Sequence, residues 1–279
     1  MNPSPIPQPS PEHRPGFRLI IVGDEILSGK RADKHLVKVI ELLKARGLSL
    51  TQAEYVGDDP DRITTLLERA FASGDVVFST GGIGATPDDH TRQCAARALG
   101  VPLALHPQAK VLIEQRMQDV ALEQGKVYQP DAADNLHRLN MGVFPAGATV
   151  IPNPYNKIPG FSVGRVHFVP GFPVMAWPMI EWVLDTCYAP WFQTQAWLER
   201  SVIVFGAMEA TLTPLMVQLE HDFPGIKVFS LPSVDHAQWG RHIELGVKGA
   251  PGLVTPAYAA LLAGLQTFQL KLGPELVQS

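Results

Sequence analysis

The sequence has little cysteine, no basic excess and no long apolar run. Its 279 residues include only two cysteines, far apart, so neither a disulfide framework nor a thiolate metal site is expected. The formal net charge of -4 argues against a nucleic acid or an anionic membrane surface as a partner. No apolar stretch approaches the roughly 20 residues that span a bilayer, and the proline-rich start lacks the order of a signal peptide. We therefore expect a cytoplasmic protein.

The residues that are present are typical of a packed α/β protein, with 46% hydrophobic residues. Residues 1–16 are predicted to be a disordered lead-in. Short apolar runs then alternate with helical patterns, which predicts a doubly wound, mostly parallel sheet with helices on both faces. We assign residues 17–190 to this α/β domain. Residues 198–272 are assigned to a small α+β domain with the order β-α-β-β-α.

Local signals set the bounds of the predicted elements. In the α/β domain, strands are predicted at residues 17–22, 48–56, 75–80 and 165–169. Helices are predicted there at 32–46, 60–72, 91–99, 107–125 and 174–187, with a polar loop before residue 140. In the small domain, strands are predicted at 201–205, 226–231 and 242–247, and helices at 209–222 and 255–270.

A glycine-rich segment, Ser79 to Thr91, follows the third predicted strand and precedes a helix. Ligands of open parallel sheets bind beyond the carboxyl ends of the strands. Glycines let the backbone approach a ligand closely, and their N–H groups can bind phosphate oxygens. The spacing matches neither a dinucleotide fingerprint nor a P-loop. The alternative is a tight turn in which Asp89 only caps the following helix.

Acidic pairs follow each of the first three predicted strands. They are Asp24 with Glu25, Asp58 with Asp59, and Asp88 with Asp89. If these strands are parallel, all three pairs lie at one edge of the sheet. Carboxylates repel a phosphate unless a cation bridges them, and Mg²⁺ commonly binds one or two carboxylates together with substrate phosphates. The alternative for each pair is a solvated loop or a helix cap, and we expect Asp59 to be a cap before Pro60.

Taken together, these segments resemble the molybdenum-cofactor biosynthesis (MoaB/Mog-type) domain, in the version found in the competence/damage-inducible protein A family. The similar region runs from about residue 17 to 185. Its markers are Gly23 to Gly29, Val56 to Asp59, Ser79 to Thr91, Asn153 with Pro154, and Pro170 to Pro173. The resemblance implies the same doubly wound α/β fold.

The resemblance also implies a ligand and a set of site residues. Molybdopterin or an adenylyl-pyrophosphate compound is expected over Gly81 to Gly84. The ligand-binding residues are expected to be Thr80, Gly81, Gly82, Ile83, Gly84, Thr86, Thr91, Asn153, Gly160, Pro170 and Gly171. Asp58 and Asp89 are the expected catalytic acids. From the acidic pairs themselves, Asp89 together with Asp24 or Glu25 is expected to bind a magnesium ion.

Three functions remain open. The first is Mg²⁺-dependent hydrolysis of the pyrophosphate link in ADP-ribose- or FAD-like compounds. The second is adenylyl transfer to molybdopterin, and the third is a binding module for a pterin or nucleotide without chemistry. Two segments depart from the family pattern, Asp33-Lys34-His35 and Tyr155 to Gly160. An amidase domain often follows in this family, but we do not expect one here, and therefore deamidation is not expected. We expect a homo-oligomer.

Overall fold

The computed structural model describes residues 15–192 and 198–278. The chain divides into two compact units, Met1–Phe192 and Gln193–Ser279, and each is described by itself. Most of the predicted lead-in lies outside the described residues. Its last residue, Gly16, donates its N–H to Asp75 Oδ1 at 2.8 Å and accepts the N–H of Val76. This glycine is therefore fixed beside the sheet.

Eight strands form the sheets of the first unit. They are β1 (Phe17–Val22), β2 (Leu50–Val56), β3 (Val76–Thr80), β4 (Leu103–Leu105), β5 (Val143–Pro145), β6 (Thr149–Ile151), β7 (Gly160–Val163) and β8 (Val166–Val169). The six-stranded sheet has the order β2-β1-β3-β8-β7-β6, and β4 pairs with β5 separately. The strands β2, β1, β3 and β8 are parallel, whereas β7 is antiparallel to both neighbours. The predicted, mostly parallel α/β fold is confirmed.

Seven α-helices connect these strands. They are α1 (Asp24–Leu27), α2 (His35–Lys44), α3 (Pro60–Ser73), α4 (Thr91–Leu99), α5 (Pro107–Glu123), α6 (Ala133–Leu139) and α7 (Pro173–Cys187). Short 3₁₀ turns follow at Asn140–Gly142 and Ala189–Trp191.

The packing of strand β1 explains why it is apolar from Leu19 to Val22. Leu19 and Ile21 pack in the core with α2 and α7. Ile20 and Val22 pack in a second core with α3 and α4. Successive side chains of a strand point to opposite faces, and here both faces are covered by helices. The site beyond the strand ends is thus built on a sheet that is buried on both sides.

Several predicted bounds in the first unit were wrong. Helix α2 starts at His35 because Asp33 accepts the N–H groups of His35 and Leu36, at 2.7 and 3.1 Å. Helix α6 occupies a segment that was predicted to be a polar loop. Strands β4, β5, β6 and β7 were missed, since three or four residues are too few to show a period.

The second unit is an antiparallel sheet of four strands with two helices. Its elements are β9 (Leu198–Phe205), α8 (Glu209–Asp222), β10 (Lys227–His236), β11 (Gly240–Gly249), α9 (Pro251–Gln266) and β12 (Lys271–Gln278). The strand order is β10-β11-β9-β12, and residues of α8 and α9 share one core with β9 and β11. Strand β12 was missed, so the order is β-α-β-β-α-β. Pro274 lies in it, and proline is tolerated in such an edge strand.

In the parts of the chain that the structure describes, no helix combines the length and the apolar character that a bilayer crossing requires.

Candidate functional site

A pocket of about 720 Å³ lies in the first unit, at the carboxyl ends of β1, β3 and β8. Twelve of the predicted site residues line it. They are Glu25, Asp58, Thr80, Gly81, Gly82, Ile83, Gly84, Thr86, Asp89, Asn153, Pro170 and Gly171. Asp24, Thr91 and Gly160 do not line it. The parallel strands therefore bring the glycine segment and at least one acid of each pair, namely Glu25, Asp58 and Asp89, to the same edge of the sheet.

The glycine segment makes a turn that other residues cannot make without strain. Gly81 and Gly82 have φ values of 96° and 68°. A Cβ on Gly81 would overlap the carbonyl oxygen of Val22, and one on Gly82 would overlap Thr91 Oγ1. Thr91 donates its N–H to Gly82 O at 2.9 Å and its hydroxyl to Gly81 O at 3.1 Å. Thr91 therefore supports the turn from behind instead of facing the pocket.

The backbone N–H groups of the turn divide into one that is used and three that are free. Gly81 donates its N–H to Val169 O at 3.0 Å, so this amide belongs to the sheet. Within residues 15–192, the N–H groups of Gly82, Ile83 and Gly84 have no hydrogen-bond acceptor. Consecutive free amides of this kind form an anion-binding concavity. The free donors that face this concavity are thus Gly82 to Gly84, whereas the Gly81 amide is used by the sheet.

Arg92 is a buried residue that the sequence analysis missed. Its Nη2 donates to Gly84 O at 2.7 Å and its Nη1 to Asn140 O at 2.8 Å. Burial lowers the pKa of Arg92, and the charge of Asp89 opposes that shift. Arg92 holds the carbonyl side of the turn. A single arginine in the first turn of a helix gave no signal of this role.

Asp89 lies in the pocket wall and does not cap α4. The helix has His90 at its N-cap position, with no side-chain hydrogen bond. Asp89 Oδ2 instead accepts the N–H of Thr86 at 2.9 Å and its hydroxyl at 2.5 Å. Asp89 Oδ1 accepts no hydrogen bond from the described residues. The capping alternative is therefore wrong, and one carboxylate oxygen stays available to a ligand or cation.

The acidic loops after β1 and β2 are tied together. Asp24 donates its N–H to Asp58 Oδ2 at 2.9 Å, and Asp58 donates its N–H to Asp24 Oδ1 at 3.2 Å. Burial raises the pKa of Asp58, and the charges of Asp24, Glu25 and Asp88 raise it further, against the Asp24 N–H bond. The two joined loops thus hold the partly buried carboxyl group of Asp58 close to the negative charges of Asp24, Glu25 and Asp88.

Asp59, the neighbour of Asp58, has a different role. Its Oδ1 accepts the N–H of Arg62 at 2.9 Å, and Pro60 occupies the first helical position. Asp59 therefore caps α3, as predicted.

The predicted magnesium ligands do not form a closed cage. Among the described residues, no group of three or more His, Cys, Asp or Glu side chains lies close enough to hold a metal ion. Glu25 and Asp89 line the pocket, whereas Asp24 is turned to the Asp58 backbone. Oxygen donors of this type suit Mg²⁺, which usually keeps several waters and binds through one or two carboxylates and a phosphate. The donor set thus fits an ion that arrives with a phosphorylated ligand.

The remaining predicted residues mostly support loops. The side chain of Asn153 donates to Asn156 Oδ1 and Ile158 O, at 2.8 and 2.9 Å, and accepts the N–H of Tyr155. A Cβ on Gly160 would overlap the carbonyl oxygen of Phe168, so this glycine permits the pairing of β7 with β8. Asn153 thus shapes the pocket wall that Asn156 and Ile158 line, and Gly160 supports the sheet behind it.

Residues 18–189 match the family model described as "Probable molybdopterin binding domain". The match covers more than half of the chain. The chain belongs to this family.

Several relatives of the chain are named CinA-like proteins. A CinA-like protein of Anaeromyxobacter dehalogenans (strain 2CP-1 / ATCC BAA-258) is 33% identical over 171 residues, which is 60% of this chain and 40% of that protein. A CinA-like protein of Desulfosudis oleivorans is 30% identical over 219 residues, which is 75% of this chain and 50% of that protein. The chain thus spans half or less of the length of these two relatives.

A solved structure agrees with the family assignment. The crystal structure of the protein CinA with unknown function from Thermoplasma acidophilum has a TM-score of 0.51 and 26% identity. The match covers 61% of this chain and 97% of that chain. The resemblance to the CinA version of the molybdopterin-binding domain is confirmed.

Both segments that depart from the family pattern contribute to the pocket. Lys34 and His35 line it on one side, and Asn156 and Ile158 on another. His35 is buried, and its Nε2–H donates to Gly171 O at 3.0 Å. This histidine therefore joins α2 to the loop after β8, a contact that the sequence analysis did not foresee.

Proposed function

We propose that the first unit binds a phosphorylated pterin or an adenylyl-pyrophosphate compound and hydrolyses its pyrophosphate link with the help of Mg²⁺. One observation carries the proposal. The three free amides of Gly82, Ile83 and Gly84 share a pocket with the carboxylates of Glu25 and Asp89. Backbone amides attract a phosphate, whereas carboxylates repel it. A pocket that contains both therefore suits a phosphate that is accompanied by a cation.

The volume of the pocket suits a ligand of this class. At about 720 Å³ it lies within the roughly 300–1,000 Å³ of small-molecule sites. Burial above all, and then the charges of Asp24, Glu25 and Asp88, raise the pKa of Asp58, and a bound cation would relieve the repulsion among these carboxylates. Magnesium, when bound through Glu25 and Asp89, would neutralise charge on the pyrophosphate and acidify a water molecule.

The residues of the chain have separate tasks in the proposed hydrolysis. The Gly82 to Gly84 amides hold one phosphate, and Arg92 keeps the turn in place from behind. Asp58 accepts a proton from the water that attacks a phosphorus atom, because a carboxylate with a raised pKa is a better base near neutral pH. The oxygen–phosphorus bond to water forms as the bridging bond breaks. ADP-ribose and water would thus give AMP and ribose 5-phosphate.

The family description favours one second candidate, adenylyl transfer to molybdopterin. The same pocket would hold the same kind of phosphoanhydride, with the pterin phosphate as nucleophile in place of water. A binding module without chemistry is the third candidate, because Lys34, His35, Asn156 and Ile158 change the pocket wall from the family pattern.

The experiment is incubation of the purified chain with ADP-ribose or FAD, with and without several divalent metals. AMP release that needs both protein and metal supports hydrolysis. No AMP above the blank in any metal would rule it out. Ligand recovered unchanged from a tight complex would favour the binding module, and AMP found on molybdopterin would favour the transferase.

A further inference from the structure

An exposed aromatic ring stands at the rim of the pocket. Phe172 lines the pocket and is 54% exposed, directly after Pro170 and Gly171 at the end of β8. It is the N-cap residue of α7, and its carbonyl accepts the N–H groups of Met175 and Ala176 at 2.9 and 2.8 Å. The proposed hydrolysis gives this side chain no task.

The turn that carries Phe172 is fixed relative to the phosphate-binding amides. Gly81 donates its N–H to Val169 O at 3.0 Å, which joins the two loops at the sheet. His35 holds Gly171 O from the side of α2, also at 3.0 Å. Gly171 packs so closely on Gly81 that a Cβ would lie 3.4 Å from Gly81 Cα. The backbone that carries the ring is therefore held in place, and Phe172 lines the same pocket as Gly82 to Gly84.

A cation accompanies the ring. The guanidinium carbon of Arg31 lies 5.8 Å from the centroid of the Phe172 ring, and Arg31 also lines the pocket. Arg31 Nη1 is 3.9 Å from Glu25 Oε1, and the Arg31 side chain is 62% exposed. An aromatic face with a neighbouring arginine is the arrangement on which planar heterocycles stack in proteins.

We propose that Phe172 is the stacking surface for the planar heterocycle of the ligand, whose pyrophosphate lies on the Gly82 to Gly84 amides. The ligand class is then a heterocycle joined to a diphosphate, as opposed to a sugar diphosphate or inorganic pyrophosphate. This inference rests on the proposed function, since it uses the same pocket and the same phosphate position.

The test compares two ligands by calorimetry in the presence of Mg²⁺. One is the α,β-methylene analogue of ADP, which has a heterocycle and resists cleavage. The other is methylenediphosphonate, which has the two phosphorus groups and no ring. Base stacking on an aromatic side chain is worth about 1–3 kcal/mol, so Phe172→Leu should weaken the nucleotide analogue about 5- to 140-fold. The affinity for methylenediphosphonate should stay within twofold.

Two further variants separate stacking from damage to the loop. Phe172→Tyr keeps the ring and should bind the nucleotide analogue within about threefold of the parent. Val174→Ala alters an exposed residue of α7 outside the pocket and should change neither ligand. Unchanged nucleotide affinity in Phe172→Leu, or an equal loss for both ligands, would overturn the stacking role while the proposed function stands. If the parent binds neither ligand with Mg²⁺, both proposals fail.

Discussion

Asp89→Asn separates the charge of Asp89 from its structural role. Both hydrogen bonds that Asp89 accepts, from the N–H and the hydroxyl of Thr86, end on the same oxygen, Oδ2. An asparagine can place its amide oxygen there and keep both bonds. The substitution therefore removes a negative charge from the pocket with little change in shape.

The expected effect on stability is small and the effect on binding is large. Hydrogen bonds to a charged group contribute about 1.5–3 kcal/mol and neutral ones about 0.5–1.5 kcal/mol. Because Asp89 is half-exposed, Asp89→Asn should lower the free energy of unfolding by only roughly 1 kcal/mol. That corresponds to a fall of about 2–4 °C in Tm for a unit of this size. Mg²⁺-dependent affinity for an ADP-ribose analogue should fall at least about tenfold, or about 1.4 kcal/mol. Affinity without metal should not fall, because a repelling charge is gone.

Asp61→Asn is the matched control. It removes one negative charge from the first turn of α3, where the Asp61 side chain is 88% exposed and pairs with Arg97 at 2.8 Å. An exposed ion pair contributes about 0–1 kcal/mol, and Asp61 does not line the pocket. The assay is calorimetry over a Mg²⁺ series, with thermal unfolding of each variant. If Asp89→Asn keeps the metal dependence of the parent, the acidic-pocket mechanism is wrong.

Two further substitutions test the electrostatics and the backbone of the site. The pKa of Asp58 in the folded state is raised above its ordinary value of 3.8. Ionisation of Asp58 therefore lowers stability as the pH rises from 3.8 through the raised pKa. Asp58→Asn should therefore raise the free energy of unfolding at pH 7 by about a few tenths of a kcal/mol after solvent screening, and raise Tm with it, and should leave both unchanged near pH 2.5. A lower Tm at pH 7 would contradict this sign. Gly82→Ala should lose about 2 kcal/mol or more and most phosphate affinity, because φ is 68° and the new Cβ overlaps Thr91 Oγ1. Gly74→Ala, with φ 73° and open space around it, should lose only about 1 kcal/mol and bind normally. Equal effects of the two alanines in unfolding and binding assays would refute the steric argument.

Elements with local signals were predicted well. Helix α3 begins at Pro60 after a capping aspartate and ends at Gly74 in the left-handed conformation, as the sequence indicates. Helix α4 ends in the same way at Gly100. Helix α8 has its predicted bounds. In each case the determining interactions lie within a few residues of the helix end.

Elements that depend on distant partners were missed. Helix α1 has four residues and no side-chain cap, so nothing in the sequence distinguishes it from a loop. Strand β12 contains Pro274 and pairs with β9 across a register shift between Leu272 and Glu275. Its place in the sheet is set by that pairing and not by a period of its own.

The same distinction between local signals and distant contacts holds for the candidate site. Convergence of the acidic pairs could be predicted, since it requires only that β1, β2 and β3 are parallel. The contacts of Arg92, His35 and Phe172 could not, because each joins loops that are distant in sequence. The use of the Gly81 amide by Val169 also depends on the neighbouring strand β8. Sequence patterns locate the edge of the sheet, and tertiary contacts decide which groups face the ligand.

The most direct test of the central claim is a calorimetric titration of the parent chain with the α,β-methylene analogue of ADP-ribose, with and without Mg²⁺. The amides of Gly82 to Gly84 and the carboxylates of Glu25 and Asp89 predict one binding site per chain whose affinity rises at least tenfold with metal. Equal affinity with and without metal, or no binding in any of several divalent metals, would contradict it.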